Sequence, residues 1–168
     1  TVKDEEAISR YVSEFDGLVL IGGLDIPPDS YGQEAHETVS IMPEQRYEFE
    51  RRLIKQWLAT GKPTLGVCLG MQGLGLDMGG ELYNLDAIRH GITGSVTCVR
   101  NEVLLQNVPN KIQVGLYHSW AVKGLVPDII SAIDEDGVIM AVENHHTKQY
   151  GVQFHPESVM TPVGMEIV

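Results

Sequence analysis

Two short apolar runs, each ending in glycine and separated by an amphipathic helix, restrict this chain more than any other feature. Phe15-Asp16-Gly17-Leu18-Val19-Leu20-Ile21 stops at Gly22-Gly23, and Thr64-Leu65-Gly66-Val67-Cys68 stops at Leu69-Gly70. Both read as buried strands, the first halting at a turn that needs unusual backbone angles. Between them, Pro43-Glu44 opens a stretch in which Tyr47, Phe49, Leu53, Ile54, Trp57 and Leu58 recur every three or four residues until Gly61 and Pro63. That is a capped amphipathic helix. Ala7, Ile8, Tyr11, Val12 and Phe15 give an earlier helix over residues 4–15, and Gly70 to Leu76 reads as a further helix despite its glycines. Strand, helix and strand in this order predict an α/β fold with a mostly parallel central sheet flanked by helices.

After Gly79-Gly80 the texture changes. Short β-rich runs at 95–99, 112–116, 129–133, 138–142 and 151–154 are separated by turns such as Asp136-Gly137, so the second half is mainly strands. Leu24 to Met42 holds Pro27, Pro28, Asp29, Ser30, Gly32 and His36 with no sustained period, which predicts a long surface loop of the kind that borders sites. The 168 residues suit one domain over 1–168. The chain begins with Thr1 and ends at Val168 inside an apolar pattern, and so reads as a fragment of a longer one. Twelve Lys and Arg against 23 Asp and Glu leave a net charge of −11, which disfavours binding to nucleic acid or to an anionic membrane. With no long apolar run and no targeting pattern, the expectation is a cytoplasmic protein. No phosphate loop, dinucleotide fingerprint or metal-ligand spacing occurs, so neither a cofactor nor a metal is expected.

Gly66-Val67-Cys68-Leu69-Gly70 sets a thiol between two glycines where a strand turns into a helix, the arrangement of a nucleophile elbow. The turn is strained and bulk on either side would meet neighbouring backbone, while the helix N-terminus is expected to lower the thiol pKa and to hold a developing oxyanion. The plainer reading is a buried cysteine in a glycine-rich turn. Cys98, in a strand-like run, reads as core.

A thiol nucleophile needs a base, and the base an orienting group. His155 follows an apolar strand at the end where sites of parallel sheets lie, and Glu157 stands two residues on, across Pro156. That gives a Cys68, His155, Glu157 triad. Gly23, in the Gly22-Gly23 turn, is placed either to donate its amide to the same oxyanion as the amide of Leu69 or to serve as a plain turn. His118, in Tyr117-His118-Ser119-Trp120, is open between a second base and a satisfied core histidine beside a core Trp. His145-His146 read as solvated, and His36 and His90 stay ambiguous.

GVCLGMQ at 66–72, YHSWAV at 117–122 and VQFHPES at 152–158 together resemble the class I glutamine amidotransferase family over nearly the whole chain. The resemblance implies a flavodoxin-like, mostly parallel sheet. It also implies that Cys68 attacks the glutamine side-chain amide, His155 shuttles the proton and Glu157 orients His155. Gln72 and the backbone of Ser119 and Trp120 would then hold the substrate, with Gly23 and Leu69 as the oxyanion hole. GGELYNL at 79–85, HGITGSV at 90–96 and DEDGVIMAVEN at 134–144 are similar to the glutaminase subunit of anthranilate and aminodeoxychorismate synthases, which passes ammonia to a chorismate-using partner. GGLDIPPDSYGQ at 22–33 is instead similar to free-standing γ-glutamyl peptide hydrolases, whose substrates include γ-glutamyl-γ-aminobutyrate. By the same resemblance the family's first strand and early helix precede Thr1, and Ile92 stands where the synthase subunits usually carry Lys. Three readings follow: synthase subunit, free-standing hydrolase, or a binding module with an inactive site.

Overall fold

A computed structural model describes the backbone of residues 2–34 and 39–168. Helix α1 (Val2–Glu14) leads into strand β1 (Leu18–Leu20), and helix α2 (Glu44–Leu58) into β2 (Thr64–Val67), which turns directly into α3 (Leu69–Asp77). Then come β3 (Glu81–Cys98), β4 (Lys111–Lys123), β5 (Ile130–Asp134), β6 (Ile139–Asn144) and β7 (Gln149–Val152), with a short helix, α4 (Gly164–Ile167), at the end. The helices and the second-half strands expected from periodicity are present. β3 is far longer than the run expected at 95–99: its first half carries Asp86, Arg89, His90 and Gly91, which break any apolar alternation, and it is drawn into the sheet by pairing with β4.

Among the described residues the seven strands lie in the order β1-β2-β7-β6-β5-β3-β4. β1–β2 and β2–β7 pair in parallel, whereas β7–β6, β6–β5, β5–β3 and β3–β4 pair antiparallel. The sheet is therefore mixed, which corrects the mostly parallel, flavodoxin-like expectation. The reason is connection length. β5 reaches β6 through residues 135–138, and β6 reaches β7 through 145–148. Links this short turn a strand back on its neighbour, whereas a parallel partner needs a crossover such as the one α2 provides between β1 and β2. The first run is corrected too: β1 is a sheet edge, with Val19 58% and Ile21 67% exposed.

Sequence patterning explains the core. β6 is buried along nearly its whole length, and its neighbours Ala141 and Val142 fall into two different apolar clusters on its two faces. A strand covered on both sides has to be continuously apolar. One cluster holds Val152, Phe154, Met140 and Leu105, and the other Met71, Leu82, Trp120 and Val142. Fully burying a side chain of this size contributes about 1.5–3 kcal/mol. α1 packs against α2, each burying an apolar side chain, Ile8 and Trp57, and Arg52 joins them by ion pairs to Asp4 and Glu5. Among the described residues no helix is long and apolar enough to cross a membrane.

Candidate active site

Between the last residue of β2 and the first of α3 stands Cys68, with φ 53° and ψ −106°. For a residue with a side chain this is a rare conformation, costing about 1–3 kcal/mol, and it persists only where the surroundings enforce it. They do so here. The Cys68 amide donates to the Val152 carbonyl at 2.8 Å, tying the turn to β7. A Cβ on Gly66 would stand 2.5 Å from the Gly70 carbonyl carbon, and one on Gly70 only 2.2 Å from the Leu20 carbonyl oxygen. The two flanking glycines are what let strand, turn and helix pack this closely.

The thiol is nearly enclosed. Its Sγ accepts from the Gln153 side-chain amide at 3.8 Å, and Gln153 is fully buried. Gln72 Nε2 lies 3.4 Å from Gln153 Oε1 and donates to the Trp120 carbonyl at 2.9 Å, so a chain of buried amides backs the sulfur. Burial pushes the Cys68 thiol up to about 11; the Leu69 N–H acts against this, and the charges of Glu157 and Asp25 add to it. This corrects the expectation of a lowered pKa. The helix amide acts in the expected direction, but loss of solvent outweighs it, so the resting group is a thiol.

His155 approaches from the chain beyond β7. Its Nδ1 is 2.6 Å from Glu157 Oε1, with the imidazole 17% and the carboxylate 65% exposed. Its backbone is held by the Gly115 carbonyl, which accepts from the His155 amide, and by Thr161, whose hydroxyl donates to the His155 carbonyl at 2.7 Å. Tyr117 packs edge-on to the ring at 5.0 Å. The other side of the ring needs Gly22: a Cβ there would stand 3.0 Å from His155 Cε1, and 3.7 Å from both His155 Nε2 and Cys68 Cβ. Gly22 thus leaves a gap between Cys68 and the imidazole of His155.

Beside this pair lies a cavity of about 190 Å³. All five positions expected to bind substrate, Gly23, Leu69, Gln72, Ser119 and Trp120, line it with Cys68. Ser119 is available there because the ladder steps from Asn84↔Trp120 to Arg89↔His118, so residues 85–88 bulge and leave Ser119 out of the pairing. The Trp120 carbonyl is already engaged twice, by Gln72 and by His118 Nδ1 at 3.0 Å.

His118 is buried, and burial lowers it to about 4, so it is neutral. Since Nδ1 faces a carbonyl it carries the proton, leaving Nε2 as a buried acceptor without a partner among the described residues. His90 lines the same cavity, while His36 lies outside the described residues. His145 and His146 occupy an exposed turn, with His145 Nε2 2.6 Å from Glu102. Cys98 is a core thiol near the Pro109 carbonyl.

Two neighbours of Cys68 and His155 escaped the reading of the sequence, Gln153 and Asp25, and Gly22 was read only as part of a turn. Gln153 carried a signal, since a lone amide inside Gly151-Val152-Gln153-Phe154 has to find a buried partner. Asp25 stood in the run from Leu24 to Met42, whose loop character hid it.

Comparison with known proteins fits this geometry. Residues 1–157 match the Peptidase C26 family model. A Haemophilus influenzae protein named "Putative anthranilate synthase component II" is 42% identical over 110 residues, which are 64% of this chain and 57% of that relative. Anthranilate synthase component 2 of Lactococcus lactis is 31% identical over 169 residues, covering 98% of this chain and 76% of the relative. A solved Thermoplasma acidophilum structure, described as a "putative gmp synthase subunit a protein", superposes with a TM-score of 0.75 at 22% identity, over 98% of this chain and 74% of its own, and so shares the fold. With a strained cysteine elbow, a facing imidazole and a match over most of its length, the chain belongs to the Peptidase C26 family of class I glutamine amidotransferase-like enzymes.

Proposed function

We propose that this domain hydrolyses the side-chain amide of glutamine through a thioester on Cys68 and supplies the ammonia to a chorismate-using synthase partner. The observation that carries the reading is the strained Cys68 elbow set across Gly22 from His155, whose Nδ1 is 2.6 Å from Glu157, beside a cavity that Cys68 lines. As Sγ forms its bond to the amide carbon, His155 takes the thiol proton, and the oxyanion turns to the amides of Leu69 and Gly23. His155 returns that proton to the departing nitrogen, and ammonia leaves. Water then loses a proton to His155 and attacks the thioester; glutamate is released and the thiol restored. Glu157 holds the imidazole in one tautomer and stabilises its charged form. Because burial keeps the resting thiol protonated, His155 has to take that proton for the sulfur to bond to the amide carbon. The names of the anthranilate synthase relatives support the partner, and the two free cysteines support a reducing, cytoplasmic setting.

A second reading, a free-standing γ-glutamyl hydrolase, is favoured by the loop entering the cavity, where Asp25 and Ser40 stand instead of a minimal turn. Glutamate release from glutamine and from γ-glutamyl-γ-aminobutyrate, measured in parallel with and without a synthase subunit, separates the two. Weak turnover confined to glutamine that rises with the partner supports the first. Strong partner-independent turnover of the γ-glutamyl amine replaces it with the second.

A further inference from the structure

Asp25 is the feature of the cavity that the proposed chemistry leaves unused. It is half-buried, and its carboxylate oxygen Oδ2 accepts from the Ser40 amide at 2.8 Å. Its backbone joins the same clamp: the Asp25 amide donates to the Ser40 carbonyl and the Met42 amide to the Asp25 carbonyl. The side chain is thus held at a fixed place on the wall that carries Cys68. Its charge reaches the thiol and His90 electrostatically.

The other charges of the cavity throw this one into relief. Among the described lining residues Asp25 is the only carboxylate, and none is Lys or Arg. His118 is neutral and offers an acceptor lone pair. The guanidinium of Arg46, beside Gly23, pairs through Nε with Glu50 at 2.6 Å. Burial raises the Asp25 carboxyl, with the Ser40 amide and His90 acting against it, so its charge has no full counterpart among the described residues. A ligand that carries its own cation would supply one.

Every γ-glutamyl amide with a free α-amino group carries such a cation. The nitrogen stands three carbons from the scissile carbonyl, roughly 4–5 Å away at ordinary bond lengths. We propose that Asp25 is the specificity residue that binds the α-ammonium group of the substrate, so that the site selects γ-glutamyl amides with an unblocked α-amine over amides of plain dicarboxylic acids. This rests on the γ-glutamyl amidase reading above and deepens it. The Ser40 clamp fixes the carboxylate before the ligand arrives, which limits the ordering cost of binding.

The test compares glutamine with glutaramate, the same amide without its α-amine, by calorimetric binding to full-length protein carrying Cys68→Ala so that neither is consumed. A charged hydrogen bond of this kind gives a preference for glutamine of roughly 10- to 100-fold. In Asp25→Asn, which keeps an oxygen for the Ser40 amide, the preference falls to about 1- to 3-fold, chiefly through weaker glutamine binding. If Asp25 only clamps the loop, both ligands weaken together and the preference survives, which overturns the proposal and leaves the amidase reading intact. Equal binding of the two ligands before any change at Asp25 overturns it as well. If neither glutamine nor γ-glutamyl-γ-aminobutyrate binds at millimolar concentration, the amidase reading itself fails, and this proposal with it. Asp25→Ser, with a smaller oxygen side chain, repeats the comparison should the Asn variant not fold.

Discussion

The two cysteines sit in regions that burial alone would not tell apart, for each residue is 7% exposed. Burial raises both thiols, and both are free. Around Cys68 the chain is strained, glycines flank the sulfur-bearing residue, and an imidazole faces it across Gly22. Around Cys98 the backbone is ordinary strand paired to β5, and the sulfur meets a proline carbonyl. The proposed nucleophile is therefore marked by backbone and neighbours and not by its exposure. The same division runs through the sheet. Parallel β1, β2 and β7 end along one edge, where Gly22, Cys68 and His155 converge, while antiparallel β4 supplies the cavity wall with residues 117–120.

The sharpest way to break this comparison is to remove each sulfur. Cys68→Ala is expected to lower glutamate release by at least about a thousandfold, whereas Cys98→Ala keeps turnover within about twofold. Equal losses in the two would dissolve the distinction. Next in size is the elbow itself. Gly70→Ala drives a methyl into the Leu20 carbonyl, so the folded state should lose more than about 3 kcal/mol, read as a lower urea midpoint. A midpoint unchanged by this substitution would show that the turn is not packed as described.

Glu157→Gln comes third, with kcat falling roughly 10- to 100-fold and KM little changed, because water competes for a carboxylate that is 65% exposed. A change in KM alone would move Glu157 from orienting the imidazole to binding substrate.

A smaller effect comes from thiol titration. With the Cys68 pKa raised from 9.0 to about 11, iodoacetamide labelling of the ligand-free protein should be slow at pH 7 and climb toward pH 11. The folded protein also holds this proton more tightly than the unfolded chain. Stability linked to Cys68 is therefore complete below pH 9 and falls as pH rises through about 11, an effect absent from Cys68→Ala. Fast labelling at pH 7 would mean that the sulfur rests as a thiolate. Smallest is Cys98→Ala, expected to cost about 1–2 kcal/mol in denaturant unfolding as a modest core truncation.

Much of the site was legible because its parts are local. A thiol between glycines at a strand end, and a histidine two residues before a glutamate, each state their geometry within a few residues. Helix α2 was likewise readable from apolar spacing and flanking Pro and Gly, and α1 from its apolar spacing. The edge position of β1 was not, since an apolar run looks the same whether one neighbour covers it or two. Nor was the first half of β3, where charged and glycine residues become strand through pairing with β4.

By itself the sequence determined the elements whose signals are short-ranged: the helices, the elbow at Cys68, the pair at His155 and Glu157, and the strand-rich second half. Tertiary structure alone decided the mixed pairing of the sheet, the raised thiol, the Gln72–Gln153 chain behind it and the place of Asp25 in the cavity. The physical reason is separation along the chain. Hydrogen bonds such as Gln153 to Cys68 join residues 85 apart, and desolvation depends on everything packed around a group, so neither is written in any local stretch.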